Sequence, residues 1–184
     1  MLASVAVDNY APYAEAAERY RPKKVRVLFV QESPPYAKDR HFYFMGVKEH
    51  DGFWVNLMRF LYQADFGEDT PLERDRNDEW LRRFQKDGYW TIDASHKSIS
   101  KKEHEERVEL IRGEAPARIK DVQAIKPDQI VLVKKSVFEG LNEPFRAAGL
   151  PVVNDLAVPY PGRGQQFRFA KILRELNESG KLKL

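Results

Sequence analysis

Residues 25–35 read VRVLFVQESPP, and the way this stretch stops decides the fold. Val25, Val27, Leu28, Phe29 and Val30 make an apolar run long enough for a buried strand over 25–30. Gln31, Glu32 and Ser33 then bring polar groups, and Pro34 and Pro35 block continuation as strand or helix. In an open parallel sheet, the loop leaving the carboxyl end of a strand is where ligands meet the protein. A carboxylate and a hydroxyl held by prolines there read as part of a site. An ordinary strand-to-loop junction has the same residues, so the stretch alone leaves both readings open.

Working outward, three more short apolar runs predict strands at 89–92, 129–133 and 151–153. A helix precedes the second: Trp80, Leu81 and Phe84 recur at helical spacing, Asn77 is its expected cap, and Gly88 suits a left-handed exit. Phe53, Trp54, Leu57, Met58, Phe60 and Leu61 form the apolar face of another helix, with Asp51 near its start, and this stripe is assigned to the core. Residues 70–73 and 100–103 have capping-box spacing, and 167–176 is an amphipathic helix. A helix at 136–141 follows the third strand directly. Its N-terminal amides, with Lys135 and Ser136, suit a phosphate or another anion on the edge that carries Glu32. Strands alternating with helices predict a parallel sheet of α/β type.

The 184 residues predict one domain, 1–184, with no repeat or linker dividing it. The absence of cysteine excludes disulfides, thiolate-bound zinc, cysteine-held clusters and a cysteine nucleophile. No apolar stretch approaches the ~20 residues of a membrane span. The segment 1–20 carries Asp8, Glu15 and Glu18 without a basic start and long apolar run, so no signal peptide is expected. The expectation is a cytoplasmic monomer with no membrane association, no metal and no cofactor. Net charge is only +3, but 160–174 carries Arg163, Arg168, Lys171 and Arg174 with no acid, a local surface of the kind that meets phosphates.

Four stretches in this order resemble the uracil-DNA glycosylase superfamily across roughly residues 24–176. Gln31-Glu32-Ser33-Pro34 resembles the family's first loop, whose third residue often positions the attacking water. Trp80-Leu81, then Gly88 and a strand ending at Asp93-Ala94, is similar to the family's helix, glycine and strand ending in Asn-Ala. The run from Pro127 to Ser136 resembles its third strand and the Gly-Lys-Ser turn of the iron–sulfur branch. Val152-Val153, then Pro159-Tyr160-Pro161-Gly162 and a basic helix, resembles strand four and the second catalytic loop.

The resemblance implies a three-layer α/β sandwich, a central four-stranded parallel sheet flanked by helices. It implies a DNA partner, a base flipped from duplex or single strand into a pocket, and hydrolysis of the N-glycosidic bond of a deaminated or damaged base. Glu32, Ser33 and Asn154 fall in the catalytic positions. Phe42, or its neighbours Tyr43 and Phe44, falls where an aromatic stacks on the base, and Asp93 with His96 where the base is read. Lys135, Ser136, Arg163, Gln165 and Arg168 fall on the DNA side.

Departures from the pattern matter as much. Gln31 replaces a glycine, and Ser33 stands where many members have a water-activating aspartate; a serine orients water without deprotonating it. Asp93 replaces an asparagine, and a carboxylate accepts hydrogen bonds without donating them, so it favours a base bearing an amino group over uracil. The second loop, Asn154-Asp155-Leu156-Ala157-Val158, lacks the family's histidine; Asn154 is the substitute donor, with His96 and His41 as nearby imidazoles. The alternatives are an inactive nucleic-acid-binding module of the same fold, or a nucleotide or phosphometabolite hydrolase. No Gly-x-Ser-x-Gly elbow is present to support serine-hydrolase chemistry.

Overall fold

A computed structural model describes residues 10–36, 40–47, 51–62, 77–162 and 164–184. Its elements run α1 (Ala11–Glu18), β1 (Val27–Gln31), α2 (Gly52–Tyr62), α3 (Asn77–Lys86), β2 (Tyr89–Asp93), α4 (His104–Ile125), β3 (Gln129–Leu132), α5 (Lys135–Ala147) and α6 (Gln166–Glu178). The strands form one parallel sheet in the order β2-β1-β3. Central β1 explains the unbroken apolar run: Val27, Leu28, Phe29 and Val30 are all fully buried, as expected for a strand covered on both faces.

The chain steps from β1 to β2 on one side, then crosses back over β1 to reach β3. Right-handed crossovers put the helices of these two connections on opposite faces. The contacts agree. Phe29 packs its ring near Phe53 of α2 and Phe84 of α3, with centroids 6.2 and 6.4 Å away. Glu32, three residues on and therefore on the other face, reaches Arg107 of α4 and Ser136 of α5. Gly140 lets α5 approach α4, since a Cβ there would lie 2.6 Å from Ile111 Cγ2. Among the described residues, no helix is long and apolar enough to cross a membrane.

Among the described residues the sheet has three strands, where four were expected. Residues 151–158 run beside β3 but pair with it, backbone to backbone, only as isolated parallel bridges, Ile130 to Val152 and Val133 to Val158. Between those bridges, the Asn154 side chain replaces the backbone. Its Oδ1 accepts from Leu132 N at 2.9 Å, and its Nδ2 donates to Leu132 O at 3.1 Å. A side-chain amide offers one donor and one acceptor in the geometry of a peptide group, so it satisfies Leu132 without continuing a strand.

Gly88 takes the left-handed exit from α3, at φ +81°, and its carbonyl accepts from Arg26 N at 2.7 Å. Asp51 Oδ1 caps α2, accepting from Phe53 N at 2.9 Å and Trp54 N at 3.1 Å. Asn77 does not cap α3: its Oδ1 is buried without a hydrogen-bond partner, and its Nδ2 donates to Phe44 O at 3.1 Å, tying down the 41–46 loop. The box at 100–103 is likewise unused. Helix α4 begins at His104, with Glu103 as a cap residue that makes no side-chain cap bond. The box at 70–73 lies outside the described residues. The helix expected at 136–141 runs on to Ala147, through Pro144.

Candidate functional site

Because the chain leaves β1 toward one side and β3 toward the other, their following loops diverge at the carboxyl edge of the sheet. That divergence is where open α/β sheets bind ligands. A cleft of about 250 Å³ opens there, lined by the 31–36 loop, His41, Phe42, Asp51, Asp93, Ser100, Lys134 and Tyr160. The loop after β1 is stitched to the segment that follows β2. Gln31 O and Glu32 O accept from Ala94 N at 2.7 Å and Ser95 N at 2.9 Å, and Ser98 Oγ donates to Pro34 O at 2.9 Å.

Glu32 is buried at the base of the cleft, and its carboxylate is fully engaged. Lys134 Nζ donates to Oε2, Ser136 Oγ donates to Oε1, and Arg107 Nη1 stands 3.5 Å from Oε1. Lys134 itself has φ 82° and ψ 143°, close to a region populated essentially by glycine. Its backbone N–H donates to Val158 O at 2.6 Å, which fixes the turn between β3 and α5. Its ammonium also lies 5.9 Å from the centre of the Tyr160 ring.

Asp93, 4% exposed, closes the opposite wall. Its Oδ2 accepts from Tyr10 OH at 3.2 Å and stands 3.6 Å from His41 Nε2, whereas Oδ1 accepts no hydrogen bond among the described residues. His41 Nδ1 is buried without a hydrogen-bond partner. Asp51 adds a third carboxylate: Oδ2 accepts from Tyr160 OH at 3.1 Å. Burial raises the Asp51 pKa, opposed by hydrogen bonds from Trp54, Tyr160 and Phe53. Burial and then the Asp51 charge raise that of the Tyr160 hydroxyl, so it stays a donor. Among the described residues, Glu32, Asp51 and Asp93 thus face one lining Lys or Arg, Lys134, with Arg107 behind Glu32. Among the described residues, no group of three or more His, Asp or Glu is placed to hold a metal ion.

Of the residues singled out in the sequence, Glu32, Ser33, Phe42 and Asp93 line this cleft. Phe42 is only 2% exposed, and most of its ring packs on Phe53 and Phe84 at 5.8 and 5.4 Å. Ser33 Oγ accepts from Ile99 N at 3.4 Å and leaves its own proton to donate.

Three expectations are corrected, those for Asn154, Ser136 and His96. Asn154 is not a catalytic donor, because both amide hydrogens serve backbone, on Leu132 O and Leu156 O. Ser136 does not hold an anion, because its hydroxyl is bonded to Glu32. Lys135 points out beside Glu139, 3.5 Å away, outside the cleft lining. His96 also lies outside that lining. It is stacked on Tyr10 at 3.7 Å between ring centroids and bonded to Arg118, and burial followed by the Arg118 charge lowers its pKa. His41 is the imidazole that reaches the cleft. Gln165 and Arg168 are exposed near the start of α6, apart from the cleft lining, and Arg163 lies outside the described residues.

The residues missed as cleft-lining groups are Lys134, Tyr160, Ser100 and, beyond its capping role, Asp51. Lys134 carried a signal, since it occupies the glycine position of a Gly-Lys-Ser-like turn. No protein-family model and no curated protein matches the chain.

Proposed function

We propose that this protein is a DNA glycosylase-like hydrolase that cleaves the N-glycosidic bond of a damaged base. The observation that carries the reading is one cleft at the sheet's switch point that gathers Ser33, Asp93, Phe42 and Glu32 from separate segments of the chain. Among the described lining residues, three carboxylates against one ammonium favour positive charge developing inside the cleft, and loss of a base leaves that charge on the sugar. Water held by Ser33 attacks the anomeric carbon. The carbon–nitrogen bond breaks with its electron pair on the base, and the proton shed by the attacking water balances the one the leaving base takes up. Asp93 reads the base edge: its unpaired Oδ1 accepts from an amino group and repels a carbonyl oxygen.

The test is alkaline strand scission of labelled single-stranded and duplex oligonucleotides after incubation with the protein. Scission is expected at an oxidised cytosine that keeps its amino group in preference to uracil. It is lost in Ser33→Ala, and Asp93→Asn shifts the preference toward uracil. Absence of scission on every lesion, including hypoxanthine and xanthine, overturns the reading.

One observation favours a second reading, a nucleic-acid-binding module without catalysis. The Glu32 oxygens are occupied by Lys134, Ser136 and Arg107, so neither is free to take a proton from water. Salt-sensitive DNA binding without scission is the result that selects it.

A further inference from the structure

A second groove lies at the other end of the sheet, where β1 and β2 begin. It has a volume of about 500 Å³, and Arg21, Lys23, Lys24, Arg26, Arg82 and Lys86 line it with no acid among the described lining residues. Strands of 5 residues separate it from the cleft, which at about 3.3 Å per residue is some 16 Å. The cations are held in place. Gln85 Nε2 donates to Arg21 O at 2.9 Å, Arg21 lies over the Trp90 ring at 5.1 Å, and Arg82 over Tyr20 at 4.9 Å. Arg26 Nη1 donates to Asp87 O at 3.1 Å.

The bordering acids only partly neutralise this surface. Glu18 stands 3.3 Å from Arg21, Asp128 2.6 Å from Lys24, and Asp78 3.5 Å from Arg82. All are surface pairs, which are weak and readily exchanged for another anion. Lys23 and Lys86 are exposed and have no carboxylate partner among the described residues.

We propose that this groove binds the phosphodiester backbone of nucleic acid. Six cations along one groove match a chain of phosphates rather than a single one. A membrane surface fits less well. The exposed large apolar side chains of the described residues, such as Phe167 and Leu156, do not line the groove, so nothing there inserts into lipid. The inference does not rest on the cleft's chemistry. A protein without glycosylase activity would still bind through this face.

The test is fluorescence anisotropy of a labelled duplex and a labelled single strand with the full chain, over a salt series. The Lys23→Glu/Lys86→Glu double variant is compared with an Arg112→Glu/Lys120→Glu double variant, which carries the same charge change on α4, outside the groove lining. All three proteins are checked for equal melting temperature. The groove variant is expected to lower the slope of log affinity against log salt by about two and weaken duplex binding ~10-fold or more. The control is expected to keep the parent's slope. Equal slopes in the two double variants overturn the proposal, as does a parent protein that binds neither nucleic acid at low salt. So does stronger competition by anionic lipid vesicles than by unlabelled oligonucleotide. Failure of strand scission with the slope difference intact removes the glycosylase reading and leaves the groove standing. Scission by a parent whose groove variant keeps its slope does the reverse.

Discussion

Replacing Lys134 by glycine and, separately, by alanine divides what its backbone costs from what its side chain contributes. Both variants lose the ammonium from Glu32, which is 5% exposed against 28% for Lys134, and leave Glu32 with Arg107 and Ser136. That loss is common to the pair and cancels in their difference. What remains is the cost of holding a Cβ at φ 82° and ψ 143°. Such conformations cost ~1–3 kcal/mol for a side chain, and glycine returns ~0.5–1 kcal/mol of that through its freer unfolded chain. Lys134→Gly should therefore exceed Lys134→Ala in stability by about 1–2 kcal/mol. For a domain of this size that is roughly 2–8 °C in melting temperature. Thermal unfolding followed by circular dichroism, with urea titration as a second measure, reads the difference. Equal melting temperatures, or alanine above glycine, would refute the claim that the turn is strained.

Three further outcomes follow from particular contacts. Asn154→Ala strands the N–H and C=O of Leu132 and should cost about 2–4 kcal/mol in urea unfolding, while any activity measured below the melting temperature stays within ~3-fold; a selective loss of activity would return Asn154 to the site. Gly140→Ala places a Cβ 2.6 Å from Ile111 Cγ2, and forcing α4 and α5 apart should cost about 1–3 kcal/mol; an unchanged urea midpoint would count against that close packing. His96 is held neutral, with its folded pKa below the ordinary 6.5. The unfolded chain therefore takes up a proton first as pH falls. The His96 contribution is complete above about 6.5 and drains away as pH drops from there through the folded value. His96→Gln should flatten that part of the stability–pH curve, and an unchanged slope would contradict the assignment.

Local sequence was enough wherever a residue's role depends on its neighbours in the chain. The run from Val25 to Val30 was long enough for a buried strand, Gly88 suited a positive φ, and Asp51 stood near the start of α2, which it caps. Alternating strand and helix patterns fixed the parallel α/β class, and the prolines after Ser33 marked the loop that lines the cleft. Roles set by partners distant in sequence were not legible. Glu32 lies 102 residues from Lys134 and 104 from Ser136, and no periodicity states that the anion-binding hydroxyl expected at Ser136 would instead be taken by that carboxylate. Asn154 is 22 residues from Leu132; in sequence it is a loop polar residue, and only the approach of 151–158 to β3 turns its amide into a rung of the sheet. His41 and His96 are equally plausible imidazoles by composition, and packing alone puts one beside Asp93 and the other against Tyr10 and Arg118. The physical reason is the range of the forces. Backbone preference and apolar periodicity act over a few residues, whereas the partner of a buried polar group is whichever group the folded sheet brings within hydrogen-bonding distance.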